Sequence, residues 1–364
     1  MAFIIVVIVI VLAIIVFMNQ KKFGKLPAGE RLIQIKNSPN YKNNQFQNLE
    51  YTPALTEGVG YWEVMKEFFF TKKERVKPKE KIPSVKTDLL SLKPEQDVLV
   101  WFGHSSYFIQ TDGKKFLVDP VLSGAASPVS FTTRSFDGTD IYSVDELPAI
   151  DYLLLSHDHW DHLDYETIMG LKNKIDIIIC PLGVAQHLEY WGFDTRMIME
   201  KDWNEEFLLE KGFVVNTTPA RHFSGRGFAR NKSLWTSYVL QTPSKKIFIG
   251  GDSGYGTHFA EIGKQFAPFD LAILECGQYD KSWKYIHMMP PEVLQAAKDL
   301  QAKKIIPVHS VKFALANHAW DASLNELCKL NETEHLNILT PLIGERVELN
   351  NEHQSFKQWW KGIE

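Results

Sequence analysis

The apolar run Tyr152-Leu153-Leu154-Leu155 passes without a spacer into Ser156-His157-Asp158-His159-Trp160-Asp161-His162-Leu163-Asp164. A short unbroken apolar run reads as a buried strand. The polar stretch behind it then stands at a strand end, where a rigid sheet holds side chains in fixed geometry. A chain with three histidines and an aspartate in the spacing H-x-H-x-D-H at that place has to fold so that this loop is both rigid and polar. Neutral imidazole together with carboxylate suits zinc, iron or manganese. The segment therefore reads as a metal site in preference to a solvated polar turn.

A two-metal site needs more ligands than this cluster reaches, and three candidates each close a strand-like run. His222 ends the run 213–221, Asp252 follows 246–251, and His309 follows 304–308. Taken singly, a histidine after a strand is more often a hydrogen-bonded core residue. Taken in order, as H-x-H-x-D-H, His, Asp, His, they form a pattern.

That ordered set, with the blocks around it, resembles the metallo-β-lactamase superfamily from about Asp97 to Arg346, and within it the N-acylphosphatidylethanolamine-hydrolysing phospholipase D family and its bacterial relatives. The blocks are Trp101-Phe102-Gly103-His104-Ser105-Ser106, Phe116-Leu117-Val118-Asp119-Pro120, Gly251-Asp252-Ser253-Gly254-Tyr255, His287-Met288-Met289-Pro290-Pro291-Glu292, and His309 with Phe313-Ala314-Leu315-Ala316-Asn317. The metal motif alone carries only the superfamily. The Gly-Asp-Ser-Gly-Tyr and Phe-Ala-Leu-Ala-Asn blocks carry the narrower likeness. It implies an α/β fold, a four-layer αββα sandwich with the metals at one edge.

The resemblance also implies a ligand set: His157, His159 and His222 on one Zn2+, Asp161, His162 and His309 on a second, and Asp252 between them. A shared carboxylate holds two cations roughly 3.5–4 Å apart. Asp161 and His162 are expected to open a helix and so to point away from the two histidines before them. The catalytic residues the resemblance implies are Asp161, which is also an expected ligand, and His287, expected to contact phosphate or donate a proton. Asp119 and His104 are expected to orient ligand imidazoles. Tyr165 either lines the pocket or packs its helix. The chain departs from the family after His309, with Ser310-Val311-Lys312 where Trp-Gly-Thr is common. It departs again after His222, where residues 223–230 are Gly-rich and carry Arg226 and Arg230. Guanidinium binds phosphate bidentately, so Arg226 is a candidate substrate contact; a solvated surface loop is the alternative.

The N-terminus carries a second signal. Residues 2–18 are an unbroken apolar run followed by Lys21, Lys22 and Lys25. As a helix it spans roughly 25 Å, under the ~30 Å of a bilayer's hydrocarbon core, so flanking residues would have to snorkel. No basic stretch precedes it and no small-residue cleavage site follows, which favours a retained transmembrane helix over a signal peptide. The lysines behind it put the catalytic domain on the cytoplasmic face. Cys180, Cys276 and Cys328 are far apart and odd in number, and they suggest core residues without a disulfide framework. Residues 27–60 read as an extended or partly ordered linker. A short aromatic helix at 61–70 and the lysines and arginine at 72, 73, 75, 77, 79 and 81 then either meet a lipid surface or pack on the domain and in solvent. Phe356, Trp359 and Trp360 pose the same choice.

The organisation expected is an anchor at 1–20, a linker with the aromatic and basic segment at 21–94, a hydrolase domain at 95–346 and a tail at 347–364. Strands are expected at 98–110, 116–118, 175–180, 213–217, 237–241, 246–249, 271–275 and 305–308, and helices at 161–172, 291–302 and 320–330. A net charge of −4 gives no electrostatic case for nucleic-acid binding. No phosphate-binding loop or dinucleotide fingerprint appears, and nothing in the pattern sets an oligomeric state. The expected function is a membrane-anchored dinuclear zinc hydrolase of phospholipase D type, its partners the lipid bilayer and a phospholipid substrate. The alternatives are a lactonase or soluble phosphodiesterase of the same fold, or a metal-binding membrane scaffold without turnover.

Overall fold

Both faces of the sheets in this chain are covered, which is why its strands read as apolar runs instead of alternating with polar residues. The computed structural model describes residues 1–71 and 73–364, and of Phe68 and Phe69 the backbone only. Lys72, the first lysine of the basic run, lies outside the described residues. Helices α1 (Ala2–Met18) and α2 (Gly29–Asn37), the hairpin β1 (Tyr41–Lys42) and β2 (Gln45–Phe46), and α3 (Tyr61–Phe70) come first. Then follow β3 (Val98–Trp101), β4 (Tyr107–Thr111), β5 (Lys114–Val118), β6 (Ile150–Leu154), α4 (Tyr165–Gly170), β7 (Ile175–Pro181), α5 (Ala185–Tyr190) and β8 (Ile198–Lys201). With the last strand, β15 (Arg346–Glu348), they make one sheet in the order β15-β3-β4-β5-β6-β7-β8. A second sheet, β14-β13-β12-β11-β10-β9, is built from β9 (Glu206–Leu208), β10 (Val214–Thr218), β11 (Ser237–Gln241), β12 (Lys246–Ile249), β13 (Leu271–Glu275) and β14 (Ile305–Val308). Helices α6 (His258–Phe266), α7 (Pro290–Asp299) and α8 (Ala322–Glu334) lie along the same stretch of chain.

The side-chain alternation within each strand sorts the core into layers. On β6, Tyr152 and Leu154 join a cluster with Tyr238, Ile249 and Ile273 of the second sheet, so these residues fill the space between the sheets. Their neighbours Leu153 and Leu155 point the other way, onto Ile168 and Leu188 beside α4 and α5. On the far side Phe248, Ala272 and Leu274 meet Phe259, Val293 and Leu327 of α6, α7 and α8. Helix, sheet, sheet, helix is the four-layer αββα sandwich expected. Strands β5 to β8 run parallel, as do β12 to β14, so their C-terminal ends gather at one edge.

Several expectations are corrected. The run 98–110 is two strands, because Gly103 and His104 at positive φ turn the chain between β3 and β4. The helix expected from Asp161 begins at Tyr165, and residues 157–164 form a turn closed by Leu163 N–H donating to His159 O at 2.8 Å. Segment 21–94 is no spacer: Ile35, Phe46, Ile82 and Leu89 are buried, and Phe46 packs with Trp203, Leu234 and Trp235. The C-terminal tail is integral too, with β15 paired to β3 and Trp360 buried in the central cluster. Trp359 donates to Pro341 O at 3.2 Å, which leaves the C-terminal aromatics packed on the domain. By contrast Tyr61, Trp62 and Phe70 of α3 are exposed, and part of the basic run is paired, Arg75 lying 2.7 Å from Asp321.

The expected transmembrane helix is also corrected. Helix α1 stops at Met18 after 17 residues, about 25 Å at 1.5 Å per residue. No helix among the described residues is long and apolar enough to cross a membrane. The basic flank cannot lengthen it, because Lys22 donates to Pro128 O, Trp191 donates to Lys21 O at 2.8 Å, and Phe23 packs edge-on against Trp160. Those contacts fix the helix root to the domain. The helix itself is apolar on all sides and has no buried residue.

Helix α2 is docked by charge. Arg31 donates to both oxygens of Glu189, at 2.8 and 2.6 Å, and to Glu200 at 2.8 Å. Burial drives the Glu200 carboxyl above its ordinary range even with Arg31 beside it. Arg31→Ala is expected to destabilise the fold by about 2 kcal/mol in urea denaturation, below the ~3–5 of a fully buried pair because Glu200 can take up a proton.

Candidate metal centre

The ends of β5 and β6 lie side by side, and the residue after each is polar. Asp119, at positive φ, accepts from Ser156 N–H at 2.8 Å and from its hydroxyl at 2.5 Å. Its second oxygen also meets His162 Nδ1 at 2.8 Å. One carboxylate thus ties the start of the metal loop to its far end and turns His162 Nε2 inward, the orienting role expected of it. Ser156 Oγ lies 2.9 Å from His157 Nδ1, so that ring too presents Nε2 to the centre. His222 is aimed the same way by Ile286 O, 2.9 Å from its Nδ1. His159 completes this side: its Nδ1 stands 2.9 Å from His157 Nε2 and 3.2 Å from His222 Nε2.

Asp252 sits in the middle. Its Oδ2 lies 3.1 Å from His162 Nε2, 3.7 Å from His222 Nε2 and 3.9 Å from His157 Nε2, and its Oδ1 lies 3.1 Å from His309 Nδ1. The chain reaches this point through Gly251, at φ 59°, where a Cβ would stand 2.9 Å from both Ser156 Cβ and Thr236 O. No other residue fits there without moving the loop. On the second side Asp161 approaches His162 at 3.6 Å and His104 Nε2 at 2.9 Å. His104, expected only to orient a ligand, is itself in a group with Asp161, His162 and His309 close enough to hold an ion.

The donor set fits a cation pair. His157, His159 and His222 form one group with ligand atoms within 4.8 Å of one another, and His162 and Asp252 connect it to the other. His162 Nε2 and Asp252 Oδ1 are buried without a hydrogen-bond partner, which is costly unless something positive or donating meets them. Burial first, then the neighbouring imidazoles, holds His157, His222 and His309 well below the ordinary histidine range, so they stay neutral with a lone pair to give. Burial lowers His162 too, but Asp252, Asp161 and Asp119 outweigh it.

The pocket beside this cluster, about 220 Å³, has an apolar wall of Phe223, Trp283, Ile286 and Leu315. His287 lines it, stacked 5.0 Å from the His309 ring. Behind it is Glu275, a group sequence reasoning missed: fully buried, it accepts from Met288 N–H at 2.6 Å and meets His287 Nδ1 at 3.3 Å. Its signal is a single charge closing the apolar strand Leu271–Glu275. Two expected substrate contacts lie elsewhere. Tyr165 packs edge-on against Trp191 and does not line this pocket. Arg226 is buried, its guanidinium 3.9 Å from the Trp160 ring and spent on the carbonyls of Lys22, Asp158 and Leu163. The exposed Arg230 lies 5.0 Å from the ring of Phe223, which lines the pocket.

Fold and site together define a class: an αββα protein that gathers a His/Asp cluster capable of holding metal at one edge of its paired sheets. Comparison with known proteins gives the family. Residues 114–310 match the model described as a beta-lactamase superfamily domain, and the chain belongs to that superfamily. An uncharacterized protein of Mycobacterium tuberculosis is 34% identical over 333 residues, 89% of this chain and 88% of its own. The N-acyl-phosphatidylethanolamine-hydrolyzing phospholipase D 1 of Caenorhabditis elegans is 30% identical over 221 residues, 57% of this chain and 62% of that protein. Among solved structures, Igni18, a metallo hydrolase from Ignicoccus hospitalis, matches with a TM-score of 0.52 at 21% identity, over 69% of this chain and 97% of that one. That last likeness is one of fold. The chain is related to the N-acylphosphatidylethanolamine-hydrolysing phospholipases D.

Proposed function

We propose that this protein is a dinuclear zinc phosphodiesterase that cleaves N-acylated or related glycerophospholipids at a lipid surface, releasing phosphatidic acid. The observation that carries the reading is Asp252, whose carboxylate lies within 3.1–3.9 Å of imidazoles from both ligand groups. His157, His159 and His222 would hold one ion, and Asp161, His162 and His309 the other. Zinc, when bound, lowers the pKa of a coordinated water to about 7 and neutralises charge on phosphoryl oxygens. The protein's own part is to place the ester. His287 turns Nδ1 to Glu275 and lines the pocket; burial holds the Glu275 carboxyl well above its ordinary range, so Nδ1 takes that proton as Nε2 gives its own to the departing alkoxide oxygen. Phe223, Trp283, Ile286 and Leu315 give the apolar wall a glycerol backbone and its acyl chains need. Arg230, exposed and 5.0 Å from the ring of the pocket residue Phe223, is a cation that would meet a phosphate.

The lipid surface enters through exposed side chains. An α1 apolar on every side calls for apolar cover, and the rings of Tyr61, Trp62 and Phe70 suit headgroup depth. Lys21 and Lys25 behind α1 favour an anionic leaflet such as the cytoplasmic one. The worm relative is named for hydrolysis of N-acyl-phosphatidylethanolamine, a substrate of this class. The deciding experiment quantifies zinc, iron and manganese per chain in detergent-purified protein and follows phosphatidic acid release from N-acylphosphatidylethanolamine vesicles, with and without chelator. About two zincs and chelator-sensitive release are expected. Two metals with turnover of lactones instead would sink the lipid assignment, and no bound metal would sink the hydrolase reading.

A further inference from the structure

His309 stands directly behind β14, and His157, three residues past β6, is held by Ser156 and Asp119, but His222 lies four residues beyond the end of β10, in the long connection to β11. A strand end cannot fix it at that distance. Its backbone is held by a single side chain from the N-terminal segment. Asn48 Nδ2 donates to His222 O at 2.8 Å, and Asn48 Oδ1 accepts from His222 N–H at 3.0 Å. The amide of Asn48 thus pairs with His222 as a neighbouring strand would, meeting both polar groups of its backbone. Trp235 Nε1 donates to the same Oδ1 at 3.0 Å and fixes the amide's orientation.

The rest of the segment braces the other support of the same imidazole. The ring's Nδ1 partner, Ile286 O, belongs to a loop that residues 56–57 tie down. Thr56 N–H donates to Ser282 O at 2.8 Å, Thr56 Oγ1 donates to Lys281 O at 2.6 Å, and Tyr285 donates its hydroxyl to Glu57 at 2.8 Å. Between these ends Arg221 donates to Thr52 Oγ1 at 2.9 Å and to Tyr51 O at 2.8 Å. Phe46, fully buried against Trp203, Leu234 and Trp235, anchors the start. All of this lies before residue 114, where the match to the superfamily model begins.

We infer that residues 46–57 are a structural part of the metal centre and that Asn48 is the positioning residue for His222. The inference rests on the reading of His222 as a metal ligand. Partners behind a metal ligand change affinity by about 10–100-fold when removed. The test is zinc competition against a chromophoric chelator for wild type, Asn48→Ala, and the control Leu49→Ala, whose side chain is exposed in the same strap. Melting of the metal-free proteins checks the fold.

Asn48→Ala is expected to weaken one of two zinc sites about 10–100-fold, leave the other at wild-type affinity, and shift the visible spectrum of the cobalt-loaded protein. Leu49→Ala should match wild type. Wild-type affinity at both sites in Asn48→Ala overturns the inference. Should that variant fail to fold, Asn48→Asp takes its place, since it keeps the acceptor for both N–H groups and loses only the donor to His222 O. Weakened zinc in Asn48→Asp supports the clamp, and unchanged zinc overturns it. A wild type that binds no zinc defeats the metal reading and this inference with it. A wild type that binds two zincs without cleaving any phosphodiester defeats only the proposed reaction.

Discussion

Replacing Asp252 with alanine is expected to cut hydrolysis by a factor on the order of a thousand or more, because charge stabilisation by a positioned cation is worth several kcal/mol and each 1.36 kcal/mol is tenfold in rate. Asp252 is the carboxylate that reaches His157, His162, His222 and His309 at once, so its loss uncouples the two ligand groups. The fold should not suffer. Burial pushes the Asp252 carboxyl up to about 6 even with His162 pulling it down, which marks a group the interior holds at a cost. Alanine removes that cost. Metal-free Asp252→Ala should therefore melt at or above the temperature of metal-free wild type. Added zinc should raise wild-type stability by mass action and leave the variant nearly unmoved. Scanning calorimetry of both proteins with and without zinc reads the pattern. An equal zinc-induced shift in the two, or full activity in the variant, would sink the bridging role.

The residues that sequence reasoning placed well share one property: each punctuates a strand. His157, Asp252 and His309 follow apolar runs closed by a polar residue, and a parallel sheet brings such ends to one edge whatever the intervening chain does. The same local logic recovers most strands to within a residue or two, and α7 and α8 with their C-terminal ends off by three and four residues. What local pattern could not carry is partnership across the chain. Asn48 lies 174 residues from His222, and nothing around it marks it as more than one more polar residue of an Asn-rich stretch. That is why segment 21–94 reads as a linker while it packs as part of the domain. Glu275 closes the apolar strand Leu271–Glu275 in the same way and is legible by the same logic, but its partner, His287, lies 12 residues on. The N-terminal run forms the helix its composition predicts but ends after 17 residues, because its docked root at Lys21 sets its length.

Arg226→Ala is expected to destabilise the fold by about 3 kcal/mol and to weaken zinc before any substrate is added. A loop arginine beside a metal motif suggests a phosphate contact, and the geometry makes it a strut instead. Its guanidinium donates to Lys22 O at 2.8 and 3.0 Å, to Asp158 O at 2.9 Å and to Leu163 O at 2.6 Å. Asp158 and Leu163 bracket His159, Asp161 and His162, so one side chain clasps both ends of the metal turn and joins them to the root of α1. Hydrogen bonds from a charged donor contribute about 1.5–3 kcal/mol each, and buried carbonyls left without a donor add a cost that entering water only partly relieves. The lost contact with Trp160, 3.9 Å from the guanidinium, adds to this. Arg226→Lys should not rescue it, since an ammonium cannot reach three carbonyls in a planar fork. The two roles separate in one experiment. A substrate-binding arginine would raise KM and leave urea denaturation and zinc affinity alone; the strut lowers both in the absence of substrate. Unchanged stability and zinc affinity, with a raised KM, would return Arg226 to the phosphate.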